Sequence, residues 1–283
     1  MAAGSTILWT RLGGAALLAA VTVVGGCAGG EPIVLSETAG APGFAALAAV
    51  LAAAVDERGA VDPTALAVQL PHLERQLVAL ARPWPPAARQ AGSDARLAWL
   101  YNARAAWSLR IVARDRTVDA VFGDMVHLPE RIAPRRLMET PFSMDGRQWT
   151  LAAIDRELLT YDDARIAPSA PGATDWAGAL PRTPFDAATV RAALGPRFDA
   201  YLADQRRVVV DHADQRLRVP PALRAVAERI IAAYEMRYDT EDAMLVTALL
   251  PYAQGGAKRR LISAMGYDAA RRADGPGIVT TGK

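Results

Sequence analysis

Ser93-Asp94-Ala95-Arg96-Leu97-Ala98-Trp99-Leu100-Tyr101-Asn102-Ala103-Arg104-Ala105-Ala106-Trp107-Ser108-Leu109-Arg110-Ile111-Val112-Ala113 is the stretch on which the fold turns. Ser93 is a good helix cap, because its hydroxyl accepts from an orphan amide of the first turn. Asp94 suits the positive end of the helix dipole. Leu97, Leu100, Tyr101, Ser108, Ile111 and Val112 lie on one stripe of such a helix, and Trp99, Ala103, Ala106 and Trp107 on another. A helix apolar on most sides is a central one, covered all round. The spacing therefore predicts a buried helix from Asp94 to about Ala113, with Trp99 and Trp107 as core residues. Asn102 and Arg104 must then find internal partners, since an unpaired buried polar group costs several kcal/mol.

Helical segments surround this one. Phe44 to Val55 is Ala-rich and stops before Gly59. Asp62-Pro63 pairs a capping acid with a proline at the first helical position, and opens a helix towards Leu80 with a kink or break expected at Pro71. Pro83-Trp84-Pro85-Pro86 ends it. Phe142 to Trp149 reads as a β-hairpin about Asp145-Gly146, the pair a type I′ turn demands. Thr150 caps a short helix carrying Leu151, Ile154 and Leu158. Residues 160–184 hold four prolines and read as loop. Ala187 to Gln205 reads as helix broken at Gly195-Pro196. Val208-Val210 and Leu217-Val219 form a second strand pair, and helices over Leu223-Tyr234, Glu241-Leu250 and Ala257-Met265 complete the chain. The fold class is α+β: a mainly α-helical single domain with two small β-hairpins, spanning residues 43–270, ahead of a disordered tail at 271–283.

The N-terminus has a different character. Arg11 is the only charge among the first eleven residues, Leu12 to Val24 is uncharged, and Gly25-Gly26 precede Cys27, the only cysteine of the 283 residues. A basic start, a short apolar middle and a small-residue cleavage site make a secretory signal. The cysteine's placement resembles the lipobox of bacterial lipoproteins, which implies cleavage after residue 26 and acylation of Cys27. The expected arrangement is a signal peptide at 1–26 and a lipidated cysteine with a flexible Gly/Ala/Pro tether at 27–42, reaching on the order of 20 Å. Two or more acyl chains give stable anchoring. The body then faces the periplasm from the cell envelope, with the membrane as its first partner. Ala28, in place of the aspartate associated with inner-membrane retention in enteric bacteria, tilts the expectation towards the outer membrane. Beyond residue 27 no uncharged apolar run approaches the ~20 residues of a transmembrane helix.

Net charge is +2, from 32 basic and 30 acidic residues, which argues against a nucleic-acid partner. There is no Gly-rich phosphate loop, no dinucleotide fingerprint and no histidine pair at metal spacing, so neither cofactor nor metal is expected. His72, His127 and His212 are scattered, and Ser169 lies outside any nucleophile-elbow motif. Asp162-Asp163 reads as turn and capping acids before it reads as a cation site.

Four segments, in order, resemble the domain-of-unknown-function family numbered 547. Leu97 to Ala103 is similar to that family's asparagine-x-tyrosine-asparagine helix, with Tyr101 and Asn102 matching and Trp99 in place of the first asparagine. Met144 to Ile154 resembles its glycine turn and capped helix. Asp163-Ala164-Arg165-Ile166-Ala167, continuing to Leu180, is similar to its aspartate-proline-arginine-isoleucine-histidine segment, which two cysteines follow. Asp163, Arg165 and Ile166 match. The histidine position falls on Ala167 and the cysteine positions on Gly172 and Ala177. Gly266-Tyr267-Asp268 resembles the closing tyrosine-aspartate-tryptophan, with Ala269 in place of tryptophan.

The resemblance implies papain- or transglutaminase-like ancestry, and this chain lacks the thiol and the base such an enzyme needs. The leading expectation is a pseudoenzyme: a non-catalytic envelope module binding a protein, peptide or glycan, with Tyr101, Asn102, Asp163, Arg165, Tyr267 and Asp268 as candidate binding residues and none catalytic. Each of these residues reads as a fold-holding contact before it reads as a ligand contact. Two alternatives stand beside it. One is a hydrolase or transferase using a histidine with Asp163 or Asp268; the other is a structural envelope component that assembles with itself.

Overall fold

A computed structural model describes residues 43–122, 138–174 and 176–271. The leader, Cys27, the tether, His127 and residues 272–283 lie outside the described residues.

The chain opens with two packed helices, α1 (Ala45–Ala54) and α2 (Pro63–Ala81). An antiparallel bridge between Val55 and Val61 closes their connection. The Asp62 carboxylate accepts from the amides of Thr64 (2.8 Å) and Ala65 (3.2 Å), and Pro63 occupies the first helical position. The expected break at Pro71 does not occur, because α2 continues across it to Ala81. Pro71 and Ala67, whose carbonyl the proline leaves without its helical donor, both lie on the exposed face, where solvent can reach it.

After the short α3 (Pro86–Arg89) comes the central helix α4 (Asp94–Phe122). Ser93 Oγ accepts from the Arg96 amide at 3.1 Å, as its capping role requires. The helix runs nine residues past the expected end at Ala113. From Leu97 to Leu109 every side chain except Trp99 is buried. Trp107 stacks on Phe142 with ring centroids 4.3 Å apart, and Trp99 packs against Phe44 and Trp84.

The first hairpin, β1 (Phe142–Met144) and β2 (Arg147–Trp149), is antiparallel, with Asp145 and Gly146 both at positive φ (51° and 71°). Its turn also closes the end of α2. The amides of Asp145 and Gly146 donate to the carbonyls of Leu80 and Ala81, and Asp145 Oδ1 accepts from the Trp84 amide. Orphan carbonyls at a helix end are thus bonded by a turn distant in sequence. Thr150 caps α5 (Leu151–Leu158) through the Ala153 amide.

The expected loop at 160–184 contains one short helix, α6 (Ile166–Ser169). Next comes α7 (Leu194–Ala203), preceded by turns at 187–193. The break expected at Gly195-Pro196 therefore falls earlier. Pro196 sits in the first turn of α7, where its missing N–H has no helical acceptor to lose.

The second hairpin, β3 (Val209–Asp211) with β4 (Arg216–Val219), gains a third strand. β5 (Asp268–Arg271) lies parallel to β4, so Arg271 belongs to the folded body rather than to the tail. Between them α8 (Pro221–Ala225) and α9 (Ala227–Tyr238) meet at Val226. They are followed by α10 (Leu245–Leu249), which is shorter than the expected Glu241–Leu250, then a 3₁₀ turn at Leu250–Tyr252 and α11 (Gly255–Ile262). One contiguous hydrophobic core runs from α1 to α11. The fold is α+β and mainly helical, with one two-stranded and one three-stranded sheet.

The cap on α2 is testable. Asp62→Ala should cost about 1 kcal/mol and Asp62→Asn only a fraction of that, measured as a shift in the urea unfolding midpoint at constant slope.

Candidate functional site

Ile166 to Leu180 contains only one short helical turn, yet the described residues of this stretch are buried apart from Trp176 and Ala179, which are half-buried. Irregular chain normally lies at the surface, where water bonds its amides and carbonyls. Here side chains from α4, α7 and the turn after α7 do that work.

Tyr101 and Asn102, both wholly buried, face this region from α4. Tyr101 Oη donates to the Ile166 carbonyl at 2.6 Å. The Asn102 side chain makes a two-way clasp on Phe185: Nδ2 donates to its carbonyl at 2.9 Å and Oδ1 accepts from its amide at 2.8 Å. The Phe185 ring packs edge-on against Tyr101, and the Arg197 guanidinium lies 4.8 Å over it. Burial pushes the Tyr101 phenol well above its ordinary range, so it acts as a donor and not as an acid.

Three further arginines hold the segment. Arg104 Nη1 donates to the Pro171 carbonyl at 2.6 Å, while Nε and Nη2 form a fork on the Asp155 carboxylate at 2.6 and 3.1 Å. Arg197 Nη2 bridges the carbonyls of Ser169 (3.0 Å) and Ala179 (2.7 Å). Burial lowers this guanidinium to about 10, leaving it charged at neutral pH. Arg207 Nε donates to the Ala177 carbonyl at 2.5 Å and its Nη1 pairs with Asp204. Within the segment, Gly178 donates to Ala170 and Gly172 to Gly178, an interlock that brings backbones together. A Cβ on Gly178 would stand 2.5 Å from the Ser169 carbonyl oxygen.

The three positions that would carry a histidine and two cysteines in the resembled family are buried here. Ala167 is 7% exposed and Ala177 3%. A Cβ on Gly172 would fall 2.8 Å from the Ala177 Cβ and 2.4 Å from Arg104 Nη1. The two cysteine positions are thus neighbours in space, and this chain fills the room beside them with a guanidinium. The Ser169 hydroxyl is fully buried and has no hydrogen-bond partner among the described residues.

Asp163 and Arg165 pair with one another. Arg165 donates through Nε (2.9 and 3.2 Å) and Nη2 (2.7 Å) to the carboxylate, and its amide also reaches Asp163 Oδ1 at 3.0 Å. Burial opposes the charged form of Asp163, but the hydrogen bonds and charge of Arg165 outweigh it and hold the carboxyl below its ordinary range. Tyr267 and Asp268 stand elsewhere, at the start of β5. Tyr267 Oη meets His212 Nδ1 at 3.0 Å, and Asp268 is in register with Arg216. His72 bonds to Arg75 on α2. The six candidate residues therefore divide into a loop-holding group on α4 and its partner segment, and a separate pair on the three-stranded sheet.

Among the described residues no group of three or more metal-ligating side chains comes together, and no helix is long and apolar enough to cross a membrane. A cleft of about 560 Å³ lies between α7 and α11, lined by Asp199, Gln205, Gln254, Gly255 and Arg260 among others. It contains none of the candidate residues. No family model, no curated protein and no solved structure matches the chain.

Sequence reading missed Asp155, Phe185, Arg197 and Arg207. The only available signal was the demand that buried Arg104 and Asn102 have partners, and this demand does not say which.

Asn102→Leu should cost roughly 2–4 kcal/mol, because it orphans both polar groups of Phe185. Surface Asp→Asn controls in the same urea titration should change far less. The pH dependence has a definite sign. Asp163 has a lower pKa folded than unfolded, so its contribution is present above the unfolded value and lost as pH falls through the folded one. Stability should drop below about pH 4, and Asp163→Asn should flatten that limb of a thermal-melting profile.

Proposed function

We propose that this chain is a lipid-anchored envelope protein whose folded body is a degenerate, non-catalytic member of the resembled family and acts as a binding module. One observation carries the non-catalytic part. Tyr101, Asn102, Asp163 and Arg165, four of the six polar residues the resemblance retains, each spend their hydrogen bonds on the protein's own backbone or on each other. A catalytic or ligand-reading side chain needs a free donor or acceptor aimed at an accessible space. Buried Ala167, Gly172 and Ala177 supply neither thiol nor base. A histidine-based hydrolase gains no support from His72 or His212, whose bonds run to Arg75 and Tyr267. The anchor rests on Arg11, the apolar stretch and Gly25-Gly26-Cys27. The periplasmic face of the envelope, with the outer membrane preferred, follows from that reading, as does a protein, peptide or glycan partner.

The test is purification from native envelopes with mass spectrometry of the N-terminal peptide and of co-purifying molecules. The expected result is a chain beginning at acylated Cys27, together with a stoichiometric partner. An unprocessed, unacylated N-terminus would overturn the anchor. Loss of a hydrolytic activity on Asp163→Ala, with the fold intact by circular dichroism, would overturn the non-catalytic reading.

A further inference from the structure

Helix α11 (Gly255–Ile262) has two unlike faces. Ala257, Leu261 and Ala264 are buried, and Arg260 turns inward to donate to the carbonyls of Leu202 (2.6 Å) and Ala203 (3.3 Å). On the outer side Lys258 and Arg259 are exposed, Ile262 is 50% exposed and Met265 is 54% exposed. Helical spacing places Ile262 one turn on from Lys258 and Arg259, and Met265 follows in the exposed turn after the helix. No acid occurs between Gly255 and Gly266. Lys258 is one of only two lysines in the chain.

We infer that this strip, Lys258, Arg259, Ile262 and Met265, rests on the anionic phospholipid surface to which the chain is anchored. Two cationic heads beside two apolar side chains complement a layer of phosphate groups over hydrocarbon. The strip is far smaller than the ~1,000 Å² a stable protein interface needs. It need not be larger for a body already tethered. Acylation of Cys27 would hold the domain at high effective concentration over the bilayer, so a weak contact would suffice to orient it. This inference rests on the lipid-anchor reading of Cys27.

The single thiol makes a direct test possible. With Cys27 acylated, Ile262→Cys introduces the sole reactive sulfur, which takes a polarity-sensitive fluorophore. The full-length labelled protein is reconstituted on vesicles of phosphatidylglycerol and phosphatidylcholine, and separately on phosphatidylcholine alone. Flotation reports the anchor and the label reports the surface contact. The expected result is a blue-shifted emission, quenched by bilayer-embedded spin labels on anionic vesicles. Lys258→Glu with Arg259→Glu should reduce that quenching by on the order of tenfold, with flotation unchanged. A label that stays water-exposed on anionic vesicles, in protein that floats, overturns the inference and leaves the anchor standing. So does protection that ignores lipid charge or grows with protein density on the vesicle, which would mark a second copy as the occupant. Failure to float overturns the anchor, and the inference that rests on it.

Discussion

Most of the described residues from Ile166 to Leu180 are nearly unstructured chain buried inside this protein, and their carbonyls must be bonded by something other than water or a neighbouring strand. Arginine is suited to the task. Its planar head carries five donors, remains charged when half-buried, and can bond a carbonyl on one edge while meeting a carboxylate on another. Arg104 does both, with Pro171 and Asp155. Arg197 reaches two carbonyls with one nitrogen, and Arg207 fixes a third. Tyr101 completes the set from the central helix at Ile166, and Asn102 beside it fixes Phe185 just beyond the segment. The packing of α4 against α5 and of α6 against α7 depends on this layer, because an unbonded segment at the same depth would cost several kcal/mol at each orphaned group.

That constraint bears on function. Polar side chains gathered at a buried centre can look like a reactive site when read one at a time. Here their bonds close on the protein itself. Asn102 clasps one residue's backbone in both directions, and Asp163 and Arg165 satisfy each other. Gly172 has no room for a side chain, since Arg104 occupies the adjoining space. The interior is closed by these internal bonds, whereas the cleft between α7 and α11 and the outer face of α11 lie at the surface.

Much of the architecture was legible in the sequence because it is set locally. Asp62-Pro63, Ser93 and Thr150 act within three residues of themselves, and Asp145-Gly146 forces its own turn. The all-round apolar character of Leu97 to Leu109 announced a central helix, and with it the need of Asn102 and Arg104 for partners. The departures have physical causes of longer range. Pro71 leaves α2 intact because the freed carbonyl faces water, and Pro196 falls where a helix has no bond to lose. β5 joins β4 from some fifty residues away, which no local pattern encodes.

By itself, then, the sequence determined the helix caps, the hairpin turn, the burial of α4 and the absence of any thiol beyond Cys27, each a property of neighbouring residues or of composition. The tertiary structure alone decided which carbonyls the arginines hold, that Asn102 meets Phe185 eighty-three residues on, and that Tyr267 and Asp268 stand apart from the Tyr101 group. The reason is geometric. A hydrogen bond requires about 3 Å between two atoms, and a sequence fixes that distance only between residues close along the chain.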